Sequence, residues 1–302
     1  MRFRIVHSTR FEYERPAHDS QNEIRLHPWS STDQRCLDFT LSADQPAAVL
    51  AYTDYFRNRA HSLSIAGRHN TLTIVARSLV DRIPAPERRY AETPFEEFLS
   101  QDALRANAFY EFLSSTRYIP FSERLRKFFW MAVRPKPGED VADYVMRLVA
   151  FVRDQFEYET SKTHVHSNLN DILKSGGGVC QDFAHLSIGL LRLAGVPARY
   201  VSGYLAPAQS QDANTDLSQQ ASHAWFEAWL PGLGWTGYDP THSCRTGELH
   251  IGIAVGRDYD DVPPLRGIYR SDGAMSTMKV ALTVAVEGEA EPVDQSGYQT
   301  QQ

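Results

Sequence analysis

The chain has 302 residues, of which 42% are hydrophobic, and its formal net charge is −6. This length exceeds that of one typical domain, so we expect two domains with enough apolar residues for a core in each. The acidic balance and the lack of a basic run argue against nucleic acid and anionic membranes as partners.

The cysteine content indicates the compartment. Cys36, Cys180 and Cys244 are odd in number and widely spaced, and they form no Cys-x-x-Cys pair, so no disulfide framework is predicted. The first residues are charged but lack the apolar stretch of a secretory signal, and no apolar run is long enough to cross a bilayer. We therefore expect a reducing cytoplasm, which keeps a thiol free.

Residues 1–83 predict a β-sandwich domain. Short segments of alternating apolar residues recur at a spacing of roughly ten residues, which is typical of sandwich strands. A turn is expected at Arg15 and Pro16, and a strand over residues 52–56. We expect this domain to pack against its neighbour, although it could also shape one side of a substrate cleft. The alternating residues are Phe3, Ile5, Phe11, Tyr13, Leu37, Phe39, Leu41, Leu63, Ile65, Leu72 and Ile74.

Residues 84–137 read as a helical connecting segment that follows a proline-rich linker. Thr93, Pro94 and Glu96 fit an N-cap, a proline in the first turn and the glutamate of a capping box. Two further helices are predicted over residues 104–113 and 122–133.

A longer helix is expected to begin near Asp140, because the apolar positions after it recur at helical spacing. Strands are predicted over residues 196–205, 249–255 and 278–286. The intervening segment 207–221 is polar and reads as an exposed loop, either a plain surface loop or a mobile lid. Residues 287–302 form an acidic, polar tail that is expected to be disordered.

Cys180 follows three glycines and begins a predicted helix. The apolar residues after it recur at helical spacing, and Gly195 and Pro197 end the helix. The unpaired N–H groups and the positive end of the dipole at a helix N-terminus favour a thiolate. Cys180 is therefore a candidate nucleophile, and the glycines leave room for a substrate backbone to approach its sulfur.

A predicted hairpin downstream supplies the base and the orienting group that such a nucleophile needs. Residues 222–230 and 235–240 read as two strands joined by a turn at residues 231–234. If the strands pair odd residues with odd residues, His223 and Asp239 lie opposite or diagonal to each other, with roughly 5–8 Å between their Cβ atoms. A slip of one residue would place them on opposite faces.

Each of these three residues also has a purely structural interpretation. A cysteine at a helix start is more often a small buried apolar residue than a nucleophile. A histidine among tryptophans is often a hydrogen-bonded core side chain, and an aspartate before proline is a common turn former. The order of the three residues, in a helix followed by a hairpin, favours catalysis over these separate explanations.

A metal site is the alternative for the histidines His164 and His166, which share one face if their segment is extended. Zinc requires further imidazole or thiolate ligands at set spacings. The residues that could supply them are Cys180, Asp182 and His185. Because Cys180 is better explained as a nucleophile, we predict neither a metal nor another cofactor. A calcium loop is not predicted either, because the acidic residues near Asp258 lack its residue order.

Three motifs resemble the core motifs of the transglutaminase-like superfamily. They are Gly178-Val-Cys180-Gln-Asp182, Ser222-His223-Ala-Trp225 and Tyr238-Asp239-Pro240-Thr241. More narrowly, the chain resembles the bacterial transglutaminase-like proteins that are described as cysteine proteases, and the resemblance covers most of its length. It implies an α+β fold with a papain/transglutaminase-like core over residues 138–286, preceded by the β-sandwich domain. In that core a helix bearing the cysteine packs on an antiparallel sheet bearing the histidine and the aspartate.

The predicted reaction is acyl transfer on an amide or peptide bond through a cysteine thioester. Cys180 attacks, His223 moves the proton, and Asp239 orients the imidazole. The Cys180 N–H would meet the oxyanion, and the second donor stays open among Gln181, Tyr204 and Trp235.

Hydrolysis is the expected outcome, because the resemblance is to proteases and a cytoplasmic cross-linker would endanger its host. The substrate would be a peptide, a protein or a smaller amide. The alternatives are a protein-glutamine transglutaminase with an amine acceptor and a non-catalytic binding or scaffold module.

Overall fold

The computed structural model describes residues 1–84, 90, 92–100, 107–160, 167–207, 222–273 and 275–287, and the backbone of residues 299–301. It is an α+β structure with two main antiparallel sheets and a layer of helices. The strands are β1 (Arg2–Ile24), β2 (Gln34–Ala43), β3 (Ala48–Thr53), β4 (Arg59–Ile65), β5 (His69–Arg82), β6 (Glu157–Tyr158), β7 (Gly177–Gly178), β8 (Ala198–Leu205), β9 (Ser222–Leu230), β10 (Gly234–Asp239), β11 (Cys244–Arg245), β12 (His250–Gly256), β13 (Leu265–Arg270), β14 (Ser276–Val286) and β15 (Gln299–Gln301). The helices are α1 (Phe95–Ser100), α2 (Tyr110–Leu113), α3 (Glu123–Phe128), α4 (Val141–Gln155), α5 (Leu169–Ser175) and α6 (Cys180–Leu193).

The N-terminal sheet folds over on itself through its longest strand. The first half of β1 pairs with β5 and β14, and its last residues pair with β4 and β13. The two halves enclose one core, so the predicted β-sandwich is confirmed in outline. The core residues are Ile24, Leu26, Leu63, Ile65, Leu72, Ile74 and Ala76.

Two local predictions in this region are wrong. The chain does not turn at Arg15 and Pro16. Instead β1 continues through them, and the pairing with β5 shifts register between Glu12 and Ala17. Pro16 is tolerated because it lies in this shift, where the ladder hydrogen bonds are interrupted. The segment 52–56 is only partly a strand, since β3 ends at Thr53 and a turn follows.

Strands from the far end of the chain complete the N-terminal sheet. β14 pairs with β1 over residues 3–13, and β13 pairs with its last part. The strand predicted over residues 278–286 therefore exists, but it lies beside β1 and not beside the other strands of the 138–286 segment. In the tail, where the sequence predicted disorder, the backbone of β15 pairs with β14.

The second sheet has five antiparallel strands in the order β11-β10-β9-β8-β12. Both of its faces are covered. One face packs against the helices, through residues such as Tyr200, Phe226 and Ala254. The other packs against the sandwich, where Trp225 and Val255 meet side chains that include Trp29 and Phe56, the latter in the turn after β3.

Capping side chains begin the helices that support this sheet. Asp140 accepts hydrogen bonds from Ala142 N (2.8 Å) and Asp143 N (3.2 Å), so α4 starts where the sequence predicted. Ser122 caps α3, which continues as a π-helical turn over Phe129–Val133. Of the helix predicted over residues 104–113, residues 104–106 lie outside the described part. Among the described residues, no helix is long and apolar enough to cross a membrane.

α6 is the central helix, and 12 of its 14 residues are buried. It contacts α4, α5, β8 and β9, so an apolar surface is needed on nearly every side. Its buried Arg192 donates to the carbonyl oxygens of Ala198 (3.0 Å), Ser114 (2.9 Å) and Arg257 (2.6 Å). These bonds fix the helix axis, and with it the position of its first residue, Cys180.

Candidate active site

Cys180 is the first residue of α6, as the glycine run and the helical spacing predicted. The carboxylate of Asp182 accepts the Val179 N–H at 2.9 Å, which closes the turn that leads into the helix. Gly178 has to be glycine, because a Cβ there would collide with the Asp182 carboxyl group. This tight entry holds the thiol where the first N–H groups of the helix are directed.

The hairpin of β9 and β10 has the register that the site requires. Gly237 pairs with Glu227 and Tyr238 with Phe226, so odd residues face odd residues and Asp239 is diagonal to His223. His223 Nε2 lies 2.7 Å from Asp239 Oδ2. The sequence left open whether the two residues are opposed or diagonal, and the structure selects the diagonal.

His223 connects the thiol to the carboxylate. Its ring interacts with the Cys180 side chain as well as with Asp239. Since Nε2 is used for Asp239, Nδ1 is the ring nitrogen that remains for Cys180. Burial lowers the pKa of His223, but the hydrogen bonds to Asp239 and Cys180 and their negative charges raise it to about 10. The arrangement thus favours an imidazolium between the Cys180 sulfur and the Asp239 carboxylate.

Asp239 is a fully buried hydrogen-bond acceptor shared by three histidines. Its Oδ2 accepts from His223, from His242 Nδ1 at 2.8 Å and from His250 Nε2 at 3.1 Å. Its Oδ1 accepts from the backbone N–H groups of Thr241 (2.8 Å) and His242 (3.3 Å). Burial alone would raise the pKa of Asp239, but the three histidines hold it far below its usual range. Asp239 is therefore ionised.

The same cluster has the residue types of a metal site. Among the described residues, one ligand atom from each of His223, Asp239 and His250 lies within 4.8 Å of the others. However, the Gly247 N–H donates to His250 Nδ1 at 3.1 Å, so the neutral ring carries its proton on Nε2. A ligating histidine has the reverse arrangement, in which the second nitrogen donates outward. His250 is therefore a donor to Asp239 and does not fit a metal ligand.

The residues that the sequence offered as an alternative zinc site are described only in part. His164 and His166 lie outside the described residues. His185 Nε2 accepts the Tyr259 N–H at 3.1 Å, and burial lowers the pKa of His185 to about 3. Its neighbour Asp182 belongs to the turn before α6.

Two of the three proposed oxyanion donors are engaged elsewhere. The Tyr204 hydroxyl is bonded to His7 Nδ1 at 2.8 Å, at the contact with the sandwich. Trp235 packs under Arg199 at the turn end of the hairpin, four residues before Asp239. Gln181 stays adjacent to the thiol as the second residue of α6. Most of the predicted 207–221 loop lies outside the described residues.

Sequence reasoning missed His242 and His250. His242 follows Asp239 by three residues, which is the spacing of a turn that folds back on its own carboxylate. His250 opens a strand of otherwise apolar and small residues. A polar residue at the start of a fully buried strand is the signal that could have identified it.

Comparisons with known proteins identify the family of the chain. The chain matches the transglutaminase-like superfamily over residues 132–240 and the bacterial transglutaminase-like N-terminal region over residues 3–81. An uncharacterised protein of Mycobacterium leprae is 35% identical over 273 residues, which are 90% of this chain and 95% of that protein. A protein-glutamine gamma-glutamyltransferase of Pseudomonas aeruginosa is 35% identical over 112 residues, which are 34% of this chain and 16% of that protein.

A solved structure has the same fold over nearly the whole chain. It is that of a candidate cysteine protease from Cytophaga hutchinsonii, with a TM-score of 0.71 and 22% identity, and the match covers 99% of this chain and 96% of that chain. At this identity the likeness concerns the fold, including the sandwich, the five-stranded sheet and the central helix.

Proposed function

The chain belongs to the bacterial transglutaminase-like proteins, and we propose that it is a cysteine hydrolase that cleaves an amide or peptide bond through a thioester. The observation that carries the proposal is the position of His223, which interacts with the Cys180 side chain and lies 2.7 Å from Asp239 Oδ2 through its Nε2. A buried histidine between a thiol and an ionised carboxylate is the arrangement that activates a cysteine nucleophile.

The first step is attack by the Cys180 thiolate on the carbonyl carbon. The sulfur forms a bond to that carbon, and the carbonyl electron pair moves to the oxygen. Backbone N–H groups at the start of a helix lack intrahelical partners, and the Cys180 N–H at the start of α6 would stabilise this negative charge. His223 carries a proton throughout this step, because its pKa is raised to about 10.

His223 then protonates the departing amine as the carbon–nitrogen bond breaks, which leaves a thioester on Cys180. In the second half, His223 accepts a proton from water, and the resulting hydroxide attacks the thioester carbonyl carbon. The carbon–sulfur bond then breaks, which releases the carboxylic acid and restores the Cys180 thiolate. Asp239 keeps the imidazole oriented through both halves and stabilises its charged form.

Transfer to an amine is the second candidate function. It is supported by the likeness of the core to the Pseudomonas aeruginosa protein-glutamine gamma-glutamyltransferase. The two reactions share all steps up to the thioester and differ only in whether water or a primary amine resolves it. We favour water, and we place the reaction in the cytoplasm, where a reducing environment suits the free thiols Cys36, Cys180 and Cys244.

The proposal is tested by intact-mass spectrometry on a library of peptide amides, with and without an excess of a small primary amine. The wild type and Cys180→Ala are compared. Cleaved or deamidated products from the wild type alone are the expected result. Products that carry the added amine would show that the reaction is transamidation and not hydrolysis.

A second measurement tests the site without a substrate. Iodoacetamide is added at pH 6, and alkylation of each cysteine is followed by peptide mapping. We expect Cys180 to react much faster than Cys36 and Cys244, because only Cys180 has a histidine partner that stabilises a thiolate. Equal rates for all three thiols would favour a non-catalytic binding module on this fold.

A further inference from the structure

His250 is a buried donor aimed at the catalytic carboxylate. It is the first residue of β12, and its Nε2 lies 3.1 Å from Asp239 Oδ2. Burial lowers the pKa of His250, so the ring is neutral, and the Gly247 N–H on Nδ1 leaves the ring proton on Nε2. The ring therefore has one fixed tautomer, in which Nε2–H donates a hydrogen bond to Asp239.

Two buried side chains of the N-terminal sandwich hold the chain on either side of His250. Before it, Arg82 Nη2 donates to the Gly247 carbonyl oxygen at 3.1 Å. After it, Gln34 Nε2 donates to the Gly252 carbonyl oxygen at 2.8 Å, and Gln34 Oε1 accepts the Gly252 N–H at 2.9 Å. Gln34 thus pairs with both backbone groups of one residue on the edge strand, as a neighbouring strand would do.

We propose that His250 is a positioning residue for Asp239, and that the N-terminal sandwich holds it in place through Arg82 and Gln34. The sandwich is then a part of the catalytic apparatus through these two side chains. This inference rests on the proposed function, because it gives His250 its role through the Asp239–His223–Cys180 line.

The physical reason lies in what each donor does to Asp239. His242 is half exposed, so water can replace it. His250 approaches the carboxylate from the buried side, where no water can substitute for a lost donor. Without that donor, Oδ2 would be held only by His223 and the half-exposed His242, and it would shift toward the solvent side. The hydrogen bond to His223 would then lengthen, and the imidazolium beside Cys180 would be less stable.

The test uses the whole protein and the iodoacetamide rate of Cys180 at pH 6, with Cys36 and Cys244 as internal references. Two substitutions separate the two ring nitrogens of His250. His250→Gln places an amide N–H near the former Nε2 and so keeps a donor to Asp239. His250→Asn keeps a group near the former Nδ1 for Gly247 but has no donor that reaches Asp239.

We expect His250→Asn to slow the alkylation of Cys180 about tenfold or more, and His250→Gln to retain most of the wild-type rate. Thermal unfolding is measured on both variants, because a merely structural role would lower the rates and the unfolding temperatures of both together. Equal rates in the two variants would overturn the proposal.

The contribution of the sandwich is tested with a matched pair of amides. Asn58 also pairs with both backbone groups of one β12 residue, Val255, but at the end of the strand away from His250. Gln34→Leu and Asn58→Leu remove the same number of bonds to β12. We expect only Gln34→Leu to slow the alkylation of Cys180, and an equal loss in both would contradict the role of Gln34.

The proposed function and the positioning role of His250 are refuted by different results. If Cys180 of the wild type reacts no faster than Cys36 and Cys244, the proposed function fails. If Cys180 is fast in the wild type, slow in His223→Ala and unchanged in His250→Asn, the proposed function stands and the positioning role of His250 is refuted.

Discussion

At the scale of single residues, the negative charge of the Asp239 carboxylate determines the electrostatics of the site. One oxygen accepts from three histidines, but only His223 also contacts the nucleophile. The raised pKa of His223 depends on the charge of that oxygen, because burial alone would lower it. Replacing the carboxylate by an amide should therefore change the pH dependence of the reaction as well as its rate.

We expect Asp239→Asn to lower kcat/KM about 10³-fold or more, because an amide can donate to His223 and so select the wrong tautomer. The alkaline limb of the kcat/KM profile, which we expect near pH 10 in the wild type, should move toward the ordinary histidine value of about 6.5. The measurement is the pH profile on a peptide amide that the wild type cleaves. An unchanged alkaline limb in the variant would show that His223 is not the group that titrates.

The direction of the effect on stability follows from the same shift. A pKa that is raised from 6.5 to about 10 in the folded protein means that folding favours the protonated ring. The stabilising interaction is complete below pH 6.5 and is lost as the pH rises through 10.

His242→Asn is the matched control for Asp239→Asn, because it removes a donor from the same oxygen on the solvent side. It should leave the pH profile of kcat/KM unchanged.

Sequence alone could predict the residues whose chemistry is tied to a local pattern. Cys180 follows from the glycine run and the helix, and His223 and Asp239 follow from strand alternation in one hairpin. His250 is signalled only as a polar residue at the start of a buried strand. Its role could not be predicted, because its partner Asp239 lies in another strand and the loop between them places the ring. Its role depends on Gly247, Arg82 and Gln34, and two of these come from the other end of the chain.

At the scale of elements, the entry to α6 is the most constrained part of the site. The Asp182 carboxylate lies against Gly178 and accepts the Val179 N–H at 2.9 Å. Strand β7 ends at Gly178 and pairs with β6, so the backbone cannot move aside freely. Any added side chain at Gly178 has to displace Asp182.

We expect Gly178→Ala to destabilise the protein by about 1–3 kcal/mol, which is typical of overpacking. It should also slow the alkylation of Cys180, because the turn that precedes the thiol has to shift. Gly67→Ala is the control, since a Cβ at Gly67 meets no atom and its backbone conformation suits an L residue. Urea unfolding and iodoacetamide labelling of both variants provide the measurement, and a Gly178→Ala protein with wild-type labelling would contradict this account.

Elements with a strong internal pattern could be predicted, and those made by tertiary contacts could not. The stripe of α4, the spacing of α6 and the alternation of β9 and β10 all gave the correct element. α5 was missed because it is short and polar, and the Asn168 cap and its packing on α6 stabilise it. β13 was missed because its Leu265–Arg270 segment has little alternation and forms a strand only by pairing with β1.

At the scale of the whole molecule, the two ends of the chain are interlocked. β1 pairs with β13 and β14, which come from the end of the chain, and the five-stranded sheet lies between the helices and the sandwich. A shared apolar cluster crosses this contact. Its buried members are Phe3, Ile5, Val80, Tyr204, Ala206, Ile251, Ile253 and Val284. Neither part can expose its side of this cluster without losing the apolar burial that stabilises it.

This interlocking predicts that the sandwich and the transglutaminase-like core unfold together. Gly252→Ala tests it, because a Cβ at Gly252 would collide with the Trp29 ring at the contact between the two parts. Native-state hydrogen exchange should give β1 and α6 the same opening free energy in the wild type. The variant should lower both values by the same amount, about 1–3 kcal/mol. If β1 lost protection while α6 kept it, the two parts would be independent units, and the control of His250 by the sandwich would lose its physical basis.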